Sequence, residues 1–262
     1  MSPLTIKPLR LQPREASAPQ LVNVLTSPKR VRVVVGGVTV ADSRRVLVLR
    51  GNHVLPVYFF PRQDIRPDAL LASDGRSTDP LGGEAVHFTV VGGRERREDA
   101  AWTFPEPQDA TLAPLHDHVA FRWAAIDHWY EEAEEVFVHA RDPYARIDTP
   151  QSDSRVEVIF EGSTIAESTR AVLLFETHLP TRYYVPQADV RMDRLVPSTS
   201  TSRCPYKGIA SYWSAHRQDG TLVPDIAWEY RDPIPEIPKI KNLIAFYPDA
   251  VDAIRLDGQP VT

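Results

Sequence analysis

The chain has 262 residues, of which 42% are hydrophobic and 25% are charged, and it carries a formal net charge of −5 at pH 7. This composition is typical of a globular protein with one or two domains and excludes a largely disordered chain. The negative net charge gives no electrostatic support for binding nucleic acid or an anionic membrane, so neither partner is predicted. The single cysteine, Cys204, excludes an intrachain disulfide and fits a cytoplasmic protein.

The chain contains a long internal duplication. Residues 30–73 align without a gap with residues 155–198 at a constant offset of 125, and 17 of these 44 pairs are identical. After a one-residue insertion, Trp102 pairs with Trp228 and Phe104 pairs with Tyr230. A period of this length predicts two tandem homologous domains, because the units of solenoid proteins are much shorter.

In chain order, each repeat begins with a predicted β-hairpin. In the first repeat the hairpin turns at Gly36-Gly37, and in the second it turns at Glu161-Gly162. Further strands are predicted at 46–49, 58–60, 87–91 and 211–216. Helical spacing of apolar residues is confined to two short tails, 120–135 and 239–253. The predicted fold class is mainly β, with two tandem homologous small β-rich domains that have short helical tails.

The predicted boundaries give an N-terminal extension (1–29), a first repeat (30–130), an acidic linker (131–150) and a second repeat (151–262). The linker glutamates are predicted to form a solvated face. The second repeat carries Cys204-Pro-Tyr-Lys-Gly208 where the first carries Asp79-Pro-Leu-Gly-Gly83. The first repeat is therefore interpreted as a degenerate copy that has lost the thiol, the phenol and the ammonium group.

The densest group of chemically special residues lies at 198–214 in the second repeat. Serines and threonines before Cys204-Pro205 predict a loop there. Lys207 could bind a carboxylate or phosphate as a point charge, or it could be a solvated lysine in a tight turn. Cys204 could act as a nucleophile if a neighbour lowered its pKa, or it could be a small buried residue.

Aromatic residues are concentrated in the second repeat, where they could line a ligand pocket or fill the core. Tyr212 and Trp213 are neighbours on a predicted strand, so they should point to opposite faces of the sheet.

His116 and His118 have a spacing that could chelate a metal, but they have no counterparts in the second repeat, and no metal site is predicted. Common enzyme motifs are absent, and no cofactor is predicted.

Several motifs together resemble the domain-of-unknown-function 427 family, whose members are sometimes labelled nucleotidyltransferase-like. These motifs are the runs that begin at Arg182, Asp189, Cys204, Ala227 and Ala245. The resemblance extends from about Arg30 to Ile254 and implies a β-tent-like fold. It also implies an imide-type aromatic cage, which would be formed by Trp213, Trp228 and Tyr230. Relatives of that fold often carry a cysteine zinc site, for which this chain lacks the cysteines.

The leading functional hypothesis is that an aromatic pocket of the second repeat binds a small-molecule ligand, anionic or cyclic. The predicted ligand-binding residues are Tyr183, Arg191, Tyr206, Lys207, Trp213, Trp228 and Tyr230. Two alternatives stay open. One is an enzyme of small-molecule (secondary) metabolism that uses Cys204 or Lys207, and the other is a structural or interaction module. The sequence leaves the oligomeric state undetermined.

Overall fold

The computed structural model describes residues 22–51, 54–79 and 82–261, which fall into two compact units. One unit ends at Pro143 and the other begins at Tyr144. Most of the predicted N-terminal extension, up to residue 21, lies outside the described residues, as do residues 80 and 81 of the 79–83 run. Within the described ranges, no helix is long and apolar enough to span a bilayer.

Short strands build both units. The first unit contains β1 (Val22–Thr26), β2 (Val31–Val35), β3 (Val38–Ser43), β4 (Leu47–Gly51), β5 (Val54–Pro61), β6 (Leu70–Asp79), β7 (Gly83–Gly92), β8 (Glu95–Thr103), β9 (His118–Phe121), β10 (His128–Glu131) and β11 (Glu134–Val136). The second unit contains β12 (Ile147–Asp148), β13 (Val156–Phe160), β14 (Ser163–Ser168), β15 (Val172–Glu176), β16 (Arg182–Pro186), β17 (Leu195–Cys204), β18 (Gly208–His216), β19 (Leu222–Pro233), β20 (Leu243–Phe246), β21 (Ala253–Leu256) and β22 (Gln259–Pro260).

The two units share one strand topology. In the described part of the first unit, a seven-stranded sheet has the order β1-β4-β5-β9-β8-β7-β6 and a four-stranded sheet has the order β11-β10-β2-β3. The second unit has the orders β12-β15-β16-β20-β19-β18-β17 and β22-β21-β13-β14. Each strand of one repeat therefore occupies the place of its counterpart in the other. This confirms the predicted mainly β fold with two similar halves.

The predicted hairpins are confirmed at the start of each repeat. Gly36 and Gly37 have φ angles of +56° and +73°, and they join β2 to β3. Glu161 and Gly162 have φ angles of +51° and +70°, and they join β13 to β14. A two-residue turn with positive φ at both positions matches the right-handed twist of the strands that it connects.

The two predicted helical tails are wrong, because each segment contains short strands, turns and one 3-10 turn and no α-helix. In the first, β9 and β10 are joined through the turn Trp123–Ala125, and the rings of Trp123 and Trp129 stack with centroids 4.3 Å apart. Apolar residues from two strands and the turn between them thus imitate a helical period. The other described 3-10 turns are Arg62–Asp64, Ala110–Leu115, Gln187–Asp189, Met192–Arg194 and Pro238–Ile240.

The loop predicted for the serines and threonines before Cys204-Pro205 is also wrong, because these residues belong to the edge strand β17. This strand pairs with β18, and a register shift lies between Pro197 and Thr201. Proline and hydroxyl side chains are tolerated at the edge of a sheet, where one row of backbone groups is free to face solvent. The turn that follows β17 contains Pro205, Tyr206 and Lys207.

The linker glutamates do not all face solvent. The side chain of Glu131 is 4% exposed, and its carboxylate accepts hydrogen bonds from the Tyr58 hydroxyl and the Lys29 ammonium group. Glu134 and Glu135 belong to β11 of the four-stranded sheet. A buried carboxylate needs such partners because an isolated charge is costly to remove from water.

Each seven-stranded sheet buries both of its faces. One face of the second-repeat sheet packs with the four-stranded sheet around residues such as Val158, Val185 and Phe246, which we call the sandwich core. The opposite face carries a second buried cluster, which includes Tyr184 and Ile240. Successive side chains of a strand alternate between faces, so each strand supplies both clusters.

Candidate functional site

Four of the ring-bearing residues of the second repeat share the face of the large sheet that lies opposite the sandwich core. Trp228 and Tyr230 are two residues apart on β19, so both point to this face, and Tyr184 and Tyr212 reach it from β16 and β18. Tyr247, just after β20, packs against them. We call these five residues the tyrosine face.

Hydrogen bonds and ring contacts connect the tyrosine face. The Trp228 indole Nε1 donates to the Tyr184 hydroxyl at 3.1 Å, and the two rings meet edge to face. The Tyr247 ring lies 4.4 Å from the Trp228 ring between centroids. The Tyr212 hydroxyl is 2.7 Å from Ser202 Oγ. These rings therefore fill the space on this face, and the hydrogen bonds of their polar atoms hold them in place.

Burial disfavours the ionised form of two phenols of this face, Tyr184 and Tyr230. It raises the pKa of Tyr184 above the ordinary tyrosine value, and it raises the pKa of Tyr230 well above that value, with a further contribution from the neighbouring Tyr184 and Cys204. Among the described residues, none forms a hydrogen bond with the Tyr230 hydroxyl. Tyr230 is thus a neutral phenol at physiological pH, with a hydroxyl that can donate one hydrogen bond.

A buried ion pair lies in the same repeat. The Lys207 ammonium group donates to Glu176 Oε2, and the two side chains are 10% and 8% exposed. The turn that carries Lys207 is held by two backbone hydrogen bonds, from the Lys207 amide to the Cys204 carbonyl and from the Ile234 amide to the Lys207 carbonyl. Lys207 is therefore neither the solvated lysine that the sequence allowed nor a free point charge, because Glu176 neutralises it.

The two residues proposed as nucleophile or acid–base groups lie at one end of β17. Cys204 is the last residue of β17 and is half-buried, and Lys207 follows it within the same turn. Both Cys204 and Glu176 contribute to the electrostatic environment of Tyr230. Tyr206, which is also half-buried, lies between Cys204 and Lys207 in the chain. The structure thus brings Cys204, Tyr206, Lys207 and Tyr230 to one region.

Three other predicted ligand-binding residues lie elsewhere. Tyr183 and Trp213 pack against the sandwich core, on the opposite side of the sheet from the tyrosine face. Arg191 is 63% exposed and forms an ion pair with Asp193 at 2.8 Å. Because Trp213 is separated from Trp228 and Tyr230 by the sheet itself, these three residues do not form a single aromatic cage.

Four of the paired positions of the first repeat carry no charged or phenolic side chain, whereas the Tyr212–Ser202 contact has an equivalent in the His87–Ser77 contact. Glu176 and Lys207 correspond to Gly51 and Gly82 at the offset of 125. At the tyrosine face, the counterparts of Tyr184 and Tyr230 are phenylalanines, which pack in the equivalent cluster of the first repeat. Sequence reasoning missed Glu176, although the joint replacement of both charged residues by glycine is a signal that could have identified it.

The comparisons with known proteins agree with the duplicated fold. The model of the NTP_transf_9 family, described as a domain of unknown function (DUF427), matches residues 23–132 and again residues 148–257. The chain therefore belongs to this family as a tandem member. No curated protein matches the chain significantly.

Proposed function

We propose that the second repeat binds a small, polar, ring-bearing molecule where the tyrosine face approaches the Lys207–Glu176 ion pair. One observation carries this proposal: the second repeat buries an ion pair and phenols at positions where the first repeat has glycines and phenylalanines. The two repeats have the same strand order, so the fold forms without these polar groups.

A purely structural role explains the ion pair poorly. Removing two charges from water costs several kcal/mol per ion, and the attraction between them often fails to exceed that cost. Glycines at positions 51 and 82 show that the architecture has a solution without the pair. Buried polar groups that the fold does not need are concentrated at functional sites, where binding or chemistry uses them.

The geometry favours a neutral or zwitterionic ligand over a simple anion. The pair has no net charge, and an anion would have to compete with the Glu176 carboxylate for Lys207. Together the pair offers a donor and an acceptor, and the Tyr230 hydroxyl offers a further donor. The packed rings of Trp228 and Tyr247 make this part of the region apolar, which suits a ligand with a ring.

Native mass spectrometry of the freshly purified full chain, compared with a denatured spectrum, tests the proposal without a guessed ligand. We expect a retained small molecule in the parent protein. The retained fraction should fall in Tyr230→Phe, which removes one hydroxyl and introduces the residue found in the first repeat. It should fall further in the double variant Glu176→Gln with Lys207→Met, which removes both charges together.

Tyr183→Phe is the matched control, because it removes a phenol from the opposite side of the same sheet. An equal loss of the bound species in Tyr183→Phe and Tyr230→Phe would contradict the proposed place of the site. A parent protein without any bound species would be screened by thermal shift against neutral cyclic amides and imides. Stabilisation by none of these compounds would count against the proposed ligand class.

An enzyme is a second candidate, supported by the placement of the Cys204 thiol beside Lys207 and Tyr230. The measurement that separates it from simple binding is the rate of alkylation of Cys204 by iodoacetamide at neutral pH. A nucleophilic thiolate would react faster than a free cysteine in a model peptide, whereas a structural thiol would react more slowly.

We also infer a cytoplasmic location, since the only cysteine of the chain cannot form an internal disulfide.

A further inference from the structure

We propose that the second repeat binds an extended, apolar peptide segment of a partner protein at one rim of its sandwich core. The rim surface consists of Phe175 on β15, Tyr183 on β16 and Leu256 at the end of β21. In the first repeat, the corresponding surface is covered by residues 137–143 of the same unit, which we call the strap. None of the three rim residues belongs to the tyrosine face, so this inference is independent of the function proposed above.

The duplication identifies the rim surface by comparison with the first repeat. At the offset of 125, the counterparts of its three residues are Arg50, Tyr58 and Glu131. The strand register is the same in both repeats, since Val48 pairs with Tyr58 and Leu173 pairs with Tyr183. In the first repeat the Tyr58 hydroxyl donates to the Glu131 carboxylate, so these two positions are in contact. The shared strand order therefore makes the rim residues of the second repeat neighbours.

The strap binds the first repeat through two ion pairs and one buried small residue. Asp142 lies 3.0 Å from Arg50 Nε, and the two side chains are 16% and 18% exposed. Arg141 Nη1 lies 4.0 Å from a carboxylate oxygen of Glu131. Ala140 is fully buried in the main apolar cluster of the first repeat. The rim of the first repeat thus recognises an extended segment by its side chains.

Backbone strain in the strap shows that these contacts are favourable. Val138 has a φ angle of +76°, and the His139 amide donates to the Phe137 carbonyl at 3.0 Å, which makes a tight three-residue turn. Positive φ is strongly disfavoured for a β-branched residue. Such a conformation persists only where the surrounding contacts outweigh its cost. The rim therefore holds the strap firmly enough to keep this turn strained.

The second repeat leaves its rim uncovered. Phe175 is 44% exposed, so no described segment of the second repeat covers it as the strap covers Arg50. Tyr183 is half-buried, whereas its counterpart Tyr58 is 3% exposed. Leu256 is also half-buried. Apolar side chains that adjoin one another on a surface mark a place where another chain binds.

The substitutions between the repeats define the chemistry of the occupant. Arg50 and Glu131 attract the charged residues of the strap, but Phe175 and Leu256 stand in their places. A charged side chain against these apolar residues would lose water without gaining an ion pair. The occupant therefore carries apolar side chains where the strap has Arg141 and Asp142. Because one extended segment occupies the homologous rim, the geometry favours a peptide over a contact between two copies of this chain.

Fluorescence polarisation measures this binding with two labelled peptides added to the full chain. One peptide has the strap sequence, residues 136–143, and the other has the same sequence with Arg141→Leu and Asp142→Leu. We expect saturable binding of the apolar peptide, about tenfold tighter than that of the strap peptide. The reason is that two leucine side chains leave water on the apolar rim, whereas two charges find no partner there.

Replacing rim residues by those of the first repeat should change the preference. Phe175→Arg should weaken binding of the apolar peptide by about tenfold, because it removes the exposed ring. The double variant Phe175→Arg with Leu256→Glu should prefer the strap peptide by about twofold to tenfold, the range for two ion pairs near the surface. Ile209→Arg is the matched control, because Ile209 is 48% exposed on β18, near the other edge of the same sheet.

Several outcomes would overturn the inference. They are the absence of saturable binding of the apolar peptide at millimolar concentration, an equal loss in Ile209→Arg, and an unchanged preference in the folded double variant. Circular dichroism establishes that each variant is folded. Light scattering tests the remaining occupant: a dimer of the parent chain that Phe175→Arg converts to a monomer would mean that a second copy, and not a partner peptide, covers the rim.

Discussion

Replacement of Lys207 by alanine gives the most direct test of the buried ion pair. In the parent protein the Lys207 ammonium group and the Glu176 carboxylate satisfy one another at side-chain exposures of 10% and 8%. The single variant leaves Glu176 buried without its cation. The double variant Glu176→Gln with Lys207→Met removes both charges and keeps side chains of similar size.

The expected magnitudes follow from the cost of a buried, uncompensated charge. Removal of one partner of a buried pair destabilises a protein by about 3–5 kcal/mol, whereas replacement of both by neutral groups is often close to neutral. We therefore expect Lys207→Ala to lower strongly the free energy of unfolding of the unit that begins at Tyr144. The double variant should recover most of that stability.

Native-state hydrogen exchange, resolved by peptide, measures this loss with an internal reference. Amides of the second unit that exchange by unfolding should do so faster by roughly two to three-and-a-half orders of magnitude in Lys207→Ala, since about 1.4 kcal/mol corresponds to a factor of ten. Amides of the first unit, which has Gly51 and Gly82 at the paired positions, should keep their parent rates.

Two results would refute this reasoning. If Lys207→Ala lowers the free energy of unfolding by less than about 1 kcal/mol, which is the range for exposed ion pairs, the pair is open to solvent. A double variant as unstable as the sum of the two single variants would mean that Lys207 and Glu176 do not interact.

Three further predictions concern stability. Tyr184→Phe should cost about 1–3 kcal/mol in urea unfolding because the buried Trp228 N–H loses its acceptor. A hydrogen bond from Arg170 lowers the pKa of Asp189 below its ordinary value of 3.8. The Asp189 carboxylate therefore stabilises the fold above that pH, and this contribution is lost as the pH falls through the lowered pKa. In Asp189→Asn, the free energy of unfolding should depend less on pH in the acidic range. Gly92→Ala should cost about 1–3 kcal/mol in thermal unfolding, because the new Cβ would lie 2.1 Å from a backbone carbonyl oxygen of β2.

The sequence predicted the repeated β-hairpins and the opposite orientations of Tyr212 and Trp213, because both depend on local rules. A turn with positive φ suits Gly36-Gly37, and alternation along a strand is a property of the backbone. The prediction of helical tails failed because apolar spacing within one segment does not reveal that the chain passes from one sheet to another between β9 and β10. Hydrogen bonds to other strands decided the outcome there.

By itself, then, the sequence determined that the chain contains two related β-rich units, because the identities at an offset of 125 require a shared fold. Only the tertiary structure decided which residues of the second unit can act together. Glu176 and Lys207 are 31 residues apart and meet through strand pairing, while Tyr183 and Tyr184 are neighbours and lie on opposite faces. Proximity in space depends on the register of distant strands, which local sequence patterns do not encode.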